Sequence, residues 1–168
     1  MKLTFLKYRT DSQLKHNKTS RANLPYKKAQ SVGIIFSVED KPKHDAIKEL
    51  IKKFEHDGKQ VQVIEFLPPK KENYEFLFDF FSDKDLSFWG NITSASALKF
   101  SDTPFDFLYY IDATPNPLVL NLLARSKSKC RVGKFWDEGR SFFELMIESN
   151  GNVRALIDNM YTYTSQLK

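Results

Sequence analysis

The chain has 168 residues, 41% hydrophobic and 28% charged, which fits one globular domain large enough to bury a core. No apolar run approaches the ~18 residues a bilayer span needs, and a single cysteine, Cys130, excludes an internal disulfide and a cysteine-only metal cluster. The net charge of +5 is unevenly spread: residues 1–30 carry eight basic side chains against Asp11 alone, while the remainder carries 18 basic and 20 acidic ones.

The first 16 residues, with Leu3, Leu6 and Leu14 loosely on one side, predict a short helix. "MKLTFLKYRT" is basic but its apolar patch is too short for a signal-peptide core, so a cytoplasmic protein is expected and the sequons at Asn17 and Asn91 are read as chance. Residues 16–30 are polar and aperiodic and read as a linker. Together, residues 1–30 form a basic arm, Lys2, Lys7, Arg9, Lys15, Lys18, Arg21, Lys27 and Lys28, set before a domain at 31–168. Such asymmetry points to an anionic partner, whether nucleic acid, ribosome or lipid surface; a merely solubilising role is the simpler alternative.

"SVGIIFSV", residues 31–38, has the length and composition of a buried strand. A polar loop follows, then a helix carrying Ala46, Ile47, Leu50, Ile51 and Phe54 on one face and closed by Gly58. "QVQVIEFL", residues 60–67, is a second strand stopped by Pro68-Pro69, which completes a β-α-β unit. In the middle, Phe76, Leu77, Phe80 and Phe81 fit a helical stripe over 73–81, and 85–89 reads as a short strand ending at Trp89-Gly90. The aromatic residues near 74–81 fit a dimer face or a core equally well, which leaves the oligomeric state open. "DFLYYID" is a buried strand, "PLVLNLLARSK" a helix with basic residues in its last turn, and "CRVGKFW" another strand. A further strand is expected within 141–149, and Asn152 caps a last helix running to about 166.

Repeated β–α alternation with near-continuous apolar strands predicts an α/β fold: a three-layer Rossmann-like sandwich with a mostly parallel sheet of five or six strands. In such sheets ligands bind beyond the C-terminal strand ends, where the strand order reverses. If the 31–38 and 105–111 strands are neighbours, Ser37, Asp112, Thr114 and Asn116 converge there, where an aspartate can accept from a sugar hydroxyl, coordinate Mg²⁺ or act as a base. The plainer reading makes Asp112 and Thr114 caps of a helix starting near Pro115.

The absent motifs are informative. The first strand–helix loop, "FSVEDKPKHD", has no glycine and two acidic residues, against a dinucleotide fingerprint. The chain has no P-loop motif and no Gly-x-Ser-x-Gly elbow. His16, His44 and His56 have no metal-ligand spacing, so neither a metal nor a cofactor is expected. Cys130 reads as a small buried residue. Trp89 and Trp136 could line a stacking platform, although packing is the more economical account of both. Residues 134–144, "KFWDEGRSFFE", bring Trp136, Asp137, Glu138 and Arg140 together on a loop, which reads as an internal arginine–carboxylate pairing.

Two resemblances add to this reading. "FDFLYYIDATPNPLVLNLLARSKSKCRVGKF" resembles the N-terminal Rossmann half of heptosyltransferase-type glycosyltransferases, but the chain lacks a second such half to bind a nucleotide sugar. The whole chain, including "DKDLSFWG" and "LIDNMYTYTSQLK", resembles a family of small Bacteroidetes proteins, which implies a cytoplasmic bacterial protein of Rossmann-like fold with no activity to carry over. The expected function is therefore a non-catalytic binding or interaction module whose basic arm contacts an anionic partner. Alternatives are an enzyme acting on a small sugar- or nucleotide-like substrate at the sheet's C-terminal edge, and a nucleic-acid- or ribosome-associated protein.

Overall fold

A computed structural model describes residues 1–168, the side chain of Phe76 excepted. Helix α1 (Lys2–His16) precedes β1 (Ser31–Ser37), α2 (Lys41–His56), β2 (Gln60–Phe66) and β3 (Asp79–Phe81). After these come α3 (Ala95–Asp102), β4 (Phe107–Tyr110), α4 (Pro117–Arg125), β5 (Cys130–Lys134), β6 (Leu145–Ile147) and α5 (Val153–Ser165). The six strands form one all-parallel sheet in the order β3-β2-β1-β4-β5-β6. The two β-α-β units expected from sequence are both present, and β1 and β4 are neighbours.

Alternation along β1 shows how the layers are assigned. Val32, Ile34 and Phe36 face Ile47, Leu50 and Phe54 of α2 and Leu156 and Met160 of α5, while Ile35 faces the layer holding α3 and α4. Both sheet faces are thus covered, which is why the central strands read as unbroken apolar runs. Helix α2 ends cleanly because Gly58 takes φ +83°, a conformation that disfavours side-chain-bearing residues.

Three stretches differ from the sequence reading. Residues 73–81 are not a helix: a single turn at Tyr74–Phe76, with Glu75 at φ 60°, leads into the three-residue edge strand β3. The side chain of Phe76 lies outside the described residues. Residues 85–89 are not a strand; the Ser82–Asp85 capping box turns the chain, and only a Leu86–Ile92 bridge pairs there. Helix α3 was not expected, since Phe100 is the only large apolar side chain it buries.

The N-terminal 30 residues lie against the domain. Helix α1 runs beside α4, burying Leu6 and Thr10, and Asn121 Nδ2 donates to Thr10 Oγ1 at 3.1 Å. Asn17 Nδ2 then donates to the carbonyls of Ala124 and Ser126, both at 3.0 Å, at the end of α4. Beyond it, the Arg21 guanidinium reaches the Ser128 carbonyl at 2.5 Å and the Ala22 amide bonds the Lys129 carbonyl at 2.9 Å. The buried Lys59 ammonium closes the run by donating to the carbonyls of Tyr26 and Ala29 at 2.5 and 2.7 Å. Residues 17–30 therefore cross the N-terminal edge of the sheet, opposite the edge where β1 and β4 end.

Candidate functional site

At the C-terminal edge, the order reversal between β1 and β4 brings together Ser37, Asp112 and Asn116. Asp112 Oδ1 accepts from the Ser37 amide at 2.8 Å, and its Oδ2 accepts from the Ser37 hydroxyl at 2.7 Å. Asn116 Nδ2 donates to the same hydroxyl at 3.2 Å. The fourth member is Lys43, whose ammonium lies 2.6 Å from Asp112 Oδ1 and 2.7 Å from the Ser37 carbonyl. The Lys43 and Asp112 side chains are 3% and 5% exposed, so this is a buried ion pair.

The sequence reading of the caps is corrected here. Helix α4 starts at Pro117, not Pro115, and Asn116 caps it by accepting from the Leu118 amide at 3.0 Å. Asp112 instead pairs with Lys43, because that lysine sits in the first turn of α2 and points inward. Thr114 is exposed, and only its carbonyl approaches the group, 3.5 Å from the Tyr110 hydroxyl. That hydroxyl is held well above its usual pKa, first by burial and then by the charge of Asp112. The N-terminus of α2, where a doubly wound fold would cradle phosphate, is occupied by Asp40, whose carboxylate accepts from the Lys43 amide at 2.9 Å.

Lys43 was missed as a site residue, yet it left a trace. Positions 43, 47, 50 and 54 share one helical face, so Lys43 continues the stripe of Ile47, Leu50 and Phe54 one turn earlier. The resulting network is largely self-contained. Asp112 accepts three donors and Lys43 gives two short bonds, which leaves no unengaged base or nucleophile within it. Beside it, Tyr110, Asp112, Pro115, Lys134 and Trp136 line a cleft of about 90 Å³, small beside the ~300 Å³ of an ordinary small-molecule site.

Two buried titratable groups elsewhere lack partners among the described residues. Glu65, in β2 between Phe36 of β1 and Phe80 of β3, has no hydrogen bond to either carboxylate oxygen, and burial pushes its pKa up to about 7. His44, packed on the rings of Tyr74 and Phe78 at 5.4 and 5.6 Å, has neither ring nitrogen bonded, and burial lowers its pKa. Cys130 is buried in β5, with its thiol pushed up to about 12 by burial. Among the described residues, no three His, Cys, Asp or Glu side chains gather as a metal site. The pairing expected of Arg140 with Asp137 or Glu138 does not form: among the described residues none of the three is in an ion pair, and the nearby pair is instead Glu144 with Arg131 of β5, at 2.8 Å.

The cations of residues 1–30 divide into two groups. Lys2 bonds the Leu86 carbonyl at 3.3 Å, Lys7 pairs with Asp11 at 3.0 Å, Arg9 bonds the Trp89 carbonyl at 2.7 Å and Arg21 is engaged as described. Lys15, Lys18, Lys27 and Lys28 are exposed and, among the described residues, have no carboxylate within 4.0 Å. They lie at the end of α1 and along the segment that crosses the sheet's N-terminal edge, away from the Asp112 network.

The strand order and the layers define a three-layer α/β domain of Rossmann-like topology. The profile of a family of unknown function (DUF6913) matches residues 2–167, so the chain belongs to that family. No curated protein and no solved structure matches. Among the described residues, no helix is long and apolar enough to cross a membrane.

Proposed function

We propose that this protein is a binding module whose N-terminal segment docks on an anionic macromolecule. The observation that carries this reading is the set of four exposed lysines, Lys15 at the end of α1 and Lys18, Lys27 and Lys28 on the segment bonded along the sheet edge, which have no acidic partner among the described residues. Surface lysines that serve only solubility are usually interspersed with carboxylates, whereas this segment holds only Asp11. Its many backbone bonds to the domain hold the charges in place, so little ordering cost remains on binding. The test compares wild type with the Lys15→Gln/Lys18→Gln/Lys27→Gln/Lys28→Gln variant for binding to heparin and to a single-stranded RNA oligomer. Loss of both in the variant, with unchanged melting temperature, is expected; equal affinity of the two proteins would refute the reading.

A second reading is supported by Asp112, which belongs both to the buried network and to the 90 Å³ cleft. It makes the protein an enzyme acting on a small polar substrate at that edge, and the resemblance of residues 105–135 to a glycosyltransferase half suggests a sugar. A sugar or nucleotide that raises the melting temperature of wild type but not of Asp112→Asn would favour it. A screen in which no such compound raises that temperature would count against it.

A further inference from the structure

The loop before α3 holds two large aromatic side chains out in solvent. Trp89 is 59% exposed and Phe88 54%, and their rings pack at 5.0 Å against one another and at 5.2 and 6.2 Å against Phe5 of α1. Tyr8, one turn further along α1, is 73% exposed. The loop is pinned in this position. Gly90 takes φ +77°, and a Cβ there would sit inside the backbone of Phe5 and Leu6. Arg9 and Lys2 bond the carbonyls of Trp89 and Leu86, and Leu86 and Ile92 are buried beneath. A loop free to collapse would turn these rings inward; this one holds them outward.

Beside the rings is a polar recess of about 200 Å³, lined by Tyr8, Arg9, Gln13, Asn91 and Arg125 among others. Neither Arg9 nor Arg125 has a carboxylate within 4.0 Å among the described residues. Two guanidiniums without counter-ions, amide side chains and exposed aromatic faces form one patch. Flat exposed rings next to guanidiniums suit a ligand that alternates planar bases with phosphates.

We infer that this patch binds single-stranded nucleic acid, with a base stacked on Trp89 and phosphates on Arg9 and Arg125, the strand continuing toward Lys15 and Lys18. The inference rests on the proposed anionic-partner reading and names the partner. Arg125 ends α4 beside the end of α1, so the recess is continuous with the lysine-bearing segment. An anionic membrane fits less well. Leu6 of α1 is buried, Leu3 and Leu14 face the groove toward Phe142, and a bilayer makes no use of a recess lined by Gln13 and Asn91.

The test measures the binding of wild type, Trp89→Ala and Trp89→Phe to four probes. These are a labelled oligouridylate, the same RNA annealed into a duplex, heparin, and vesicles of phosphatidylcholine with phosphatidylglycerol. Trp89 is exposed, so the alanine variant is expected to melt as wild type does. The expected result is that Trp89→Ala binds oligouridylate about 5- to 100-fold more weakly, Trp89→Phe retains most of the affinity, and heparin affinity is unchanged. Oligouridylate affinity unchanged in Trp89→Ala, with heparin still bound, would overturn the stacking site and leave the lysine reading standing. Duplex bound as tightly as single strand, or vesicles bound in place of RNA, would overturn it as well. No binding to either heparin or RNA would remove both readings.

Discussion

Replacing Glu65 by Gln should remove a pH dependence of stability that has one dominant origin. In the folded chain its pKa rises to about 7 because burial disfavours the carboxylate and no hydrogen bond offsets this. The unfolded value is about 4.3. Because the folded pKa is the higher of the two, Glu65 contributes stability that is fully present below about 4 and lost as pH rises through about 7. A shift of roughly 2.5 units corresponds to on the order of 3 kcal/mol, of which about 2–3 kcal/mol falls between pH 5 and 8.5. Urea unfolding at those two pH values measures it. With a slope of about 2 kcal/mol/M, the wild-type midpoint should fall by roughly 1 M relative to Glu65→Gln as pH rises. His44, whose lowered pKa costs stability as acid charges it, is common to both proteins and cancels in the comparison. Parallel profiles for the two proteins would refute the reasoning and place Glu65 in contact with water or a donor.

Other substitutions test other joints of the structure. Asp112→Ala leaves the Lys43 ammonium buried without its partner and should cost about 3–5 kcal/mol by denaturant unfolding; the Lys43→Met/Asp112→Leu double variant should be less destabilised than Asp112→Ala. A larger loss in the double variant would mean that the pair is a net source of stability. Gly90→Ala places a side chain at positive φ against the backbone of α1 and should lower stability by at least 1 kcal/mol. Leu6→Ala, at a fully buried contact between α1 and the core, should cost about 2–5 kcal/mol in urea unfolding. An effect near zero would show that α1 is detached in solution.

Legibility followed the length of the pattern. Residues 31–67 and 105–135 were readable because β1 and β4 are buried and apolar over most of their length, because β2 alternates Val61 and Val63 with exposed glutamines before its buried end, and because Gly58 marks the end of α2. Residues 73–102 were not. A three-residue edge strand is too short to show alternation, so the helical spacing of the phenylalanines prevailed over it. The eight-residue α3 buries too little to stand out. At the crevice, Ser37, Asp112 and Asn116 followed from the rule for order reversal in α/β sheets, while Lys43 did not, since a lysine in a first helical turn is ordinarily solvated. The outward placement of Trp89 depends on its contacts with Phe5 and Arg9, 80 or more residues away in the chain, and no local pattern encodes such contacts.

Amide hydrogen exchange on the protein with and without a saturating polyanion, heparin or oligouridylate, tests most directly where the partner docks. Slowed exchange is expected over residues 8–28, with RNA also protecting 86–92, and no change in the first turn of α2 or at 112–118. Protection confined to those last segments, with residues 8–28 unaffected, would contradict the account and move the functional surface to the opposite edge of the sheet.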